Sequence, residues 1–188
     1  MEILSKNSGH TTGIPYKNWH GKPYYSLDAY CKNTYGEKLY KVALNAGLTC
    51  PNRDGTLGTG GCIFCSAGGS GDFAASTSDT DSAFEQAFLQ SKNSLSGKKT
   101  GQKFIAYFQA YTNTYGPVSY LEKVYRLALK EPSVAGISIA TRPDCLPDNV
   151  MALLCRLKKE YPAKFIWLEL GLQTIFESSA AFIRRGYP

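Results

Sequence analysis

The run Phe104-Ile105-Ala106-Tyr107-Phe108-Gln109-Ala110-Tyr111-Thr112-Asn113 changes character halfway along. Its first half is compact, aromatic and β-branched, which reads as a strand; its second half is polar and reads as what lies beyond a strand's end. Downstream, Pro117 stands at a first helical position, and Val118, Leu121, Val124, Tyr125 and Ala128 follow at helical spacing until Glu131-Pro132 stops them. Val134–Ala140 is the next strand, and Pro147 starts a helix with Val150, Leu153, Leu154 and Leu157 on its buried face. Phe165–Leu172 is a fourth strand, and Glu177–Arg184 begins a further helix. Upstream, Leu39–Ala46 is strand-like, Gly47–Gly71 is rich in glycine and cysteine, and Asp81 opens a helix with Phe84, Ala87 and Phe88 on one face.

The order is therefore β-α-β-α-β-α-β-α. Nearly continuous apolar strands separated by helices predict an α/β fold whose parallel sheet is buried on both faces. Four such units make a small open sheet or about half of a barrel. Residues 1–38 show no clear period and read as an irregular Tyr/Lys-rich extension with one short helix near Leu27–Tyr35; residues 39–188 form the core domain.

In parallel α/β folds the chemistry gathers at the carboxyl ends of the strands. Those ends are Gly47 to Cys65, Gln109 to Asn113, Thr141-Arg142-Pro143-Asp144-Cys145 and Gly171-Leu172-Gln173-Thr174, all polar and distinctive. The opposite ends, such as Thr100-Gly101-Gln102 and Tyr161-Pro162-Ala163, read as ordinary turns. The asymmetry points to one active face.

Of 188 residues, 43% are hydrophobic and 19% charged, enough for a core and too balanced for disorder; the formal charge of +6 suits a polyanionic partner such as RNA. Met1 to Asn7 lacks the pattern of a signal peptide. No run reaches the roughly 18 apolar residues of a membrane span, and even Phe165-Ile166-Trp167-Leu168 is broken by Glu169. The expectation is a cytoplasmic protein without membrane contact, whose six cysteines are reduced thiols or metal ligands.

The sharpest feature is Cys50-Pro51-Asn52-Arg53-Asp54-Gly55-Thr56-Leu57-Gly58-Thr59-Gly60-Gly61-Cys62-Ile63-Phe64-Cys65. Cys62 and Cys65 can share one metal centre, Cys50 joins them across a loop whose glycines let the backbone wrap closely, and thiolates suit both zinc and iron–sulfur clusters. A structural zinc site wants four closed ligands, whereas three cysteines on a four-iron cluster leave one iron open. Cys31 or Cys145 could supply a fourth ligand in space, and a redox dithiol at Cys62/Cys65 is a third reading.

The chain from about Tyr24 onward resembles the YhcC/YtqA-type radical S-adenosylmethionine (SAM) proteins, relatives of the catalytic subunit of Elongator. The matching runs are Asn45–Gly55, Gly60–Cys65, Gly69–Phe73, Tyr107–Tyr115, Thr141–Leu146 and Glu169–Thr174. The resemblance implies a partial (β/α) barrel with a [4Fe–4S] cluster on Cys50, Cys62 and Cys65. The open iron would take the amino and carboxylate groups of SAM, and one electron would release a 5′-deoxyadenosyl radical. It implies Phe64 near the adenine, Gln109 and Asn113 on the methionyl group, and Thr141, Arg142, Glu169 and Gln173 on ribose, carboxylate or substrate. A reductant such as flavodoxin or ferredoxin is the implied electron donor, and tRNA, modified at the wobble uridine, the implied substrate. Tyr16, Lys17, Trp19, Lys22, Tyr24, Tyr25, Tyr30, Lys32, Tyr35 and Lys38 interleave rings with positive charge, which suits bases and phosphates or, more plainly, ring packing beneath solvated lysines.

Members of that family are longer and continue past a segment ending Asn-Arg-Gly-His, where this chain reads Arg184-Arg185-Gly186-Tyr187. The expectation is therefore a truncated chain lacking the later barrel units. The competing readings are a non-catalytic zinc- or cluster-binding RNA module and an inactive fragment.

Overall fold

Each of the four apolar runs forms a strand in the computed structural model, which describes residues 19–188. They are β1 (Tyr40–Asn45), β3 (Phe104–Phe108), β4 (Val134–Thr141) and β5 (Phe165–Leu170). Between β1 and β3 lies β2 (Ala75–Ser76), two residues paired with Leu44 and Asn45 of β1 and too short to leave a pattern in sequence. All pairings are parallel, in the order β2-β1-β3-β4-β5.

The helices are α1 (Leu27–Tyr35), α2 (Asp81–Asn93), α3 (Val118–Lys130), α4 (Asp148–Glu160) and α5 (Glu177–Phe182). Thr80 caps α2 by accepting the Ala83 amide, as its hydroxyl favours at an N-cap. Pro117 and Pro147, expected as the first helical residues, instead stand one position earlier, as the N-caps of α3 and α4. A short 3-10 turn, Pro143–Cys145, follows β4. The chain divides into two compact units after Lys38. Within residues 19–38, Ser26 caps α1 through the Ala29 amide, and Gly36 ends it. The rings of Trp19, Tyr25, Tyr30 and Tyr35 follow one another at centroid spacings of 6.3 to 6.5 Å. Tyr16 and Lys17 lie outside the described residues.

In the second unit one core joins Val42, Leu44, Phe104, Ala106, Phe108, Ile137 and Ile139 of the sheet to α2, α3 and α4. Because side chains alternate along a strand, the intervening residues point to the other face. The sheet is thus buried under helices on one face, not on both: Lys41, Tyr107, Trp167 and Glu169 on the other are only partly buried. There Lys41 of β1 and Glu169 of β5 form an ion pair at 2.5 Å. β3 and β4 lie between them, so a flat sheet would hold their strands three spacings apart, about 14 Å. They meet because the sheet curls toward this face.

Among the described residues no helix is long and apolar enough to cross a membrane.

Candidate functional site

The carboxyl ends of the strands do converge. A cavity of about 220 Å³ is lined by Cys50, Cys62 and Cys65, by Phe64, and by Gln109, Thr141, Arg142, Glu169 and Gln173. Of the cluster and cofactor residues that the resemblance implies, only Asn113 does not line it. Asn113 is 0% exposed, and its amide donates to the Ala140 carbonyl at 3.0 Å. Cys145 is buried and faces a neighbouring cavity of about 710 Å³. Burial and the Asp144 carboxylate push its thiol up to about 11, so it stays protonated at neutral pH. Cys31 is buried in the first unit and Cys155 is exposed on α4. All six cysteines are free thiols.

The cysteine loop is folded by its own polar side chains. Arg53 donates to the carbonyls of Cys65 at 2.9 Å and Ser66 at 2.6 Å, closing the Cys62–Cys65 turn. The Asn52 amide, 5% exposed, donates to the carbonyls of Arg184 at 2.9 Å and Arg185 at 2.8 Å, and approaches the Cys62 sulfur at 3.4 Å. Gly186 lies against this amide at φ +78°; a Cβ there would stand 2.1 Å from Asn52 Oδ1, so no other residue fits. Ile63 donates its amide to the Ile183 carbonyl, a second link to the same segment.

Backbone strain gathers at the cavity. Ser70, Tyr111 and Gln173, which line it, have φ of 63°, 61° and 68°, a region costly for side chains with a Cβ and frequent at binding sites. Tyr111 packs against bare backbone at Gly69, where a Cβ would come within 2.3 Å of its ring, and its hydroxyl donates to the Ala67 carbonyl.

The electrostatics are equally specific. Arg142 makes a two-pronged bond to Asp144 at 2.9 and 2.7 Å and places Nη1 3.7 Å from the Cys50 sulfur. Burial opposes its charge, yet the Asp144 and Cys50 contacts outweigh burial and hold it protonated. Arg185, 6% exposed, donates to the carbonyls of Leu172, Thr174 and Tyr187. Both guanidiniums flank the Tyr187 ring, at 4.8 and 4.5 Å from its centroid. Glu169, also on the lining, accepts from Lys41 and Ser138, both at 2.5 Å. Burial pushes its carboxyl up, but these donors prevail and hold it below the usual 4.5. Burial and then Glu169 raise Tyr107 to about 12, leaving a neutral phenol.

Among the described residues no group of three or more His, Cys, Asp or Glu side chains is drawn together as around a metal ion. A single tetrahedral ion needs its donors within roughly 2.3 Å of one point. A multi-iron cluster takes each thiolate on a separate iron, so its donors stand farther apart than those round a single ion. Three thiols lining one cavity, two of them within reach of N–H donors, suit the second demand better than the first.

Asn52, Lys41, Tyr107, Ser138, Arg185 and Tyr187 received no site role from the sequence. Asn52 and Tyr107 lie within the quoted motif runs, and Lys41 breaks the apolar run of β1 as Glu169 breaks that of β5.

No protein-family model matches the chain. It is 47% identical over 174 residues to the uncharacterized protein YtqA of Bacillus subtilis (strain 168), across 93% of this chain and 52% of that protein. It is 41% identical over 153 residues to protein YhcC of Escherichia coli (strain K12), across 81% of this chain and 47% of that one. Uncharacterized protein MJ0486 of Methanocaldococcus jannaschii is 33% identical over 159 residues, across 84% and 47%. The chain thus spans about half the length of the curated relatives it matches.

Proposed function

We propose that this chain carries the cluster- and cofactor-binding part of a radical SAM enzyme. The supporting observation is the meeting of Cys50, Cys62 and Cys65 with Phe64, Gln109, Thr141, Arg142, Glu169 and Gln173 around one cavity at the carboxyl ends of a parallel sheet. Helices on one face only, and a sheet curled toward the other, favour an arc of a barrel over a doubly wound sheet, which carries helices on both faces.

On this reading Cys50, Cys62 and Cys65 hold a [4Fe–4S] cluster, which when bound supplies an electron for reductive cleavage of SAM. The chain's own residues bind and orient the cofactor. Phe64, 53% exposed at the rim, offers a ring face to the adenine. Glu169, kept ionised by Lys41 and Ser138, accepts hydrogen bonds from the ribose hydroxyls. Gln109 and Gln173 offer amides to the amino and carboxylate groups, and Thr141 a hydroxyl beside them. Tyr111 and Tyr187 wall off water. Asn113 acts at one remove, fixing the end of β4 through the Ala140 carbonyl. Substrate choice rests on likeness alone: tRNA, at the wobble uridine, is the proposed target, and an acidic flavodoxin or ferredoxin the proposed reductant.

The test is anaerobic reconstitution of the chain with iron and sulfide. The expected product has a broad visible absorption that dithionite bleaches, and it is lost in Cys50→Ala, Cys62→Ala and Cys65→Ala. Incubation with SAM and reductant should then yield 5′-deoxyadenosine. Uptake of zinc without sulfide would instead favour a closed structural site.

A further inference from the structure

We infer that Asn52 and Arg142 tune the reduction potential of the metal cluster through N–H···S hydrogen bonds, Asn52 to the sulfur of Cys62 and Arg142 to that of Cys50. The inference rests on the cluster proposed above and concerns how readily that cluster accepts its electron.

The geometry gives each sulfur its own donor. Asn52 Nδ2 lies 3.4 Å from Cys62 Sγ and Arg142 Nη1 lies 3.7 Å from Cys50 Sγ. Both donors are fixed before any ligand arrives. The carbonyls of Arg184 and Arg185 hold the Asn52 amide, and Asp144 grips the Arg142 guanidinium with two bonds while Tyr187 presents its ring. Both residues are more than nine-tenths buried, which limits competition from water for these protons.

A thiolate is a far better acceptor than a thiol, and its charge grows as the cluster takes an electron. A donor aimed at it therefore stabilises the reduced form more than the oxidised one. Hydrogen bonds to sulfur and nearby charge are recognised controls of such potentials. Arg185 adds to the effect: it lines the same cavity, and its charge is met by carbonyls rather than by a carboxylate. A buried cation of this kind favours a negatively charged occupant beside it.

The test is a spectroelectrochemical titration of the visible band in the reconstituted chain, which needs no turnover. Asn52→Leu and Arg142→Gln should each lower the reduced-to-oxidised ratio at fixed potential by about tenfold, a shift of about 59 mV to more negative potential for a one-electron couple. Asp144→Asn, which leaves the Arg142 charge uncompensated, should move the potential the opposite way. Opposite signs at two touching residues do not arise from general loosening. If Asn52→Leu fails to fold, the Arg142 and Asp144 variants decide alone. The inference is overturned if the variants bind iron and sulfide as wild type does and titrate at its potential, or if Asp144→Asn moves with Arg142→Gln. A wild-type chain with no visible band to titrate defeats the proposed function itself, and this inference with it.

Discussion

The two faces of the sheet are built on different terms. On the helix side, Val42, Leu44, Phe104, Ala106, Phe108, Ile137 and Ile139 join one apolar core with α2, α3 and α4. On the open side, one residue up or down each strand, Lys41, Tyr107, Ser138 and Glu169 form a hydrogen-bonded belt across four strands. A period of two residues separates them, yet the first face packs against helices and the second carries a row of charged and polar side chains. The lesson is that a strand can be committed to stability on alternate positions and left free for binding on the rest.

The sharpest way to break this division is to damage the helix side. Phe108→Ala, beneath Tyr125 at a ring spacing of 5.3 Å, should cost about 3–5 kcal/mol in urea unfolding. Tyr125→Phe should cost less, about 1–2 kcal/mol, because the buried hydroxyl donates to the Asn113 carbonyl, which the change leaves without that partner. On the open side, Lys41→Met and Glu169→Gln should each change stability by no more than about 1 kcal/mol, since the pair is more than a third exposed. Both should nonetheless weaken SAM binding, measured by equilibrium dialysis against the reconstituted chain, by about tenfold for Glu169→Gln and less for Lys41→Met. Should Lys41→Met unfold the protein as readily as Phe108→Ala, the belt is structural and the division fails.

The smallest effect is in acid. Glu169 titrates below its ordinary value of 4.5, so its ionised form stabilises the folded chain above that pH. The margin of wild type over Glu169→Gln should be constant above about pH 4.5 and fade below it as the carboxyl takes up a proton. A margin that grew in acid would mean that burial, not Lys41 and Ser138, governs this group.

The helix side was the more legible of the two. Phe104–Phe108 and the Asp81 helix start are legible to the residue, and the starts of α3 and α4 to within one position, because periodic apolar side chains report directly on burial. The strand ends were legible as motifs, and the cavity assembles nearly all the residues they supplied. The belt was not, since Lys41 and Glu169 are 128 positions apart and only the curl of the sheet brings them together. Asn113 shows the converse: a polar residue in a distinctive run spends its amide on a neighbouring strand instead of the cavity. β2, at two residues, is shorter than any period that could announce it.

The Asn52 amide has a consequence for motion. It is anchored in the cysteine loop and grips carbonyls 132 and 133 positions away. Neither partner can open without orphaning the other's buried polar groups, so the loop and the segment around Gly186 should breathe as one cooperative unit. In hydrogen–deuterium exchange, the amides of Gly61 and Ile63 should lose protection at the same rate as that of Arg185.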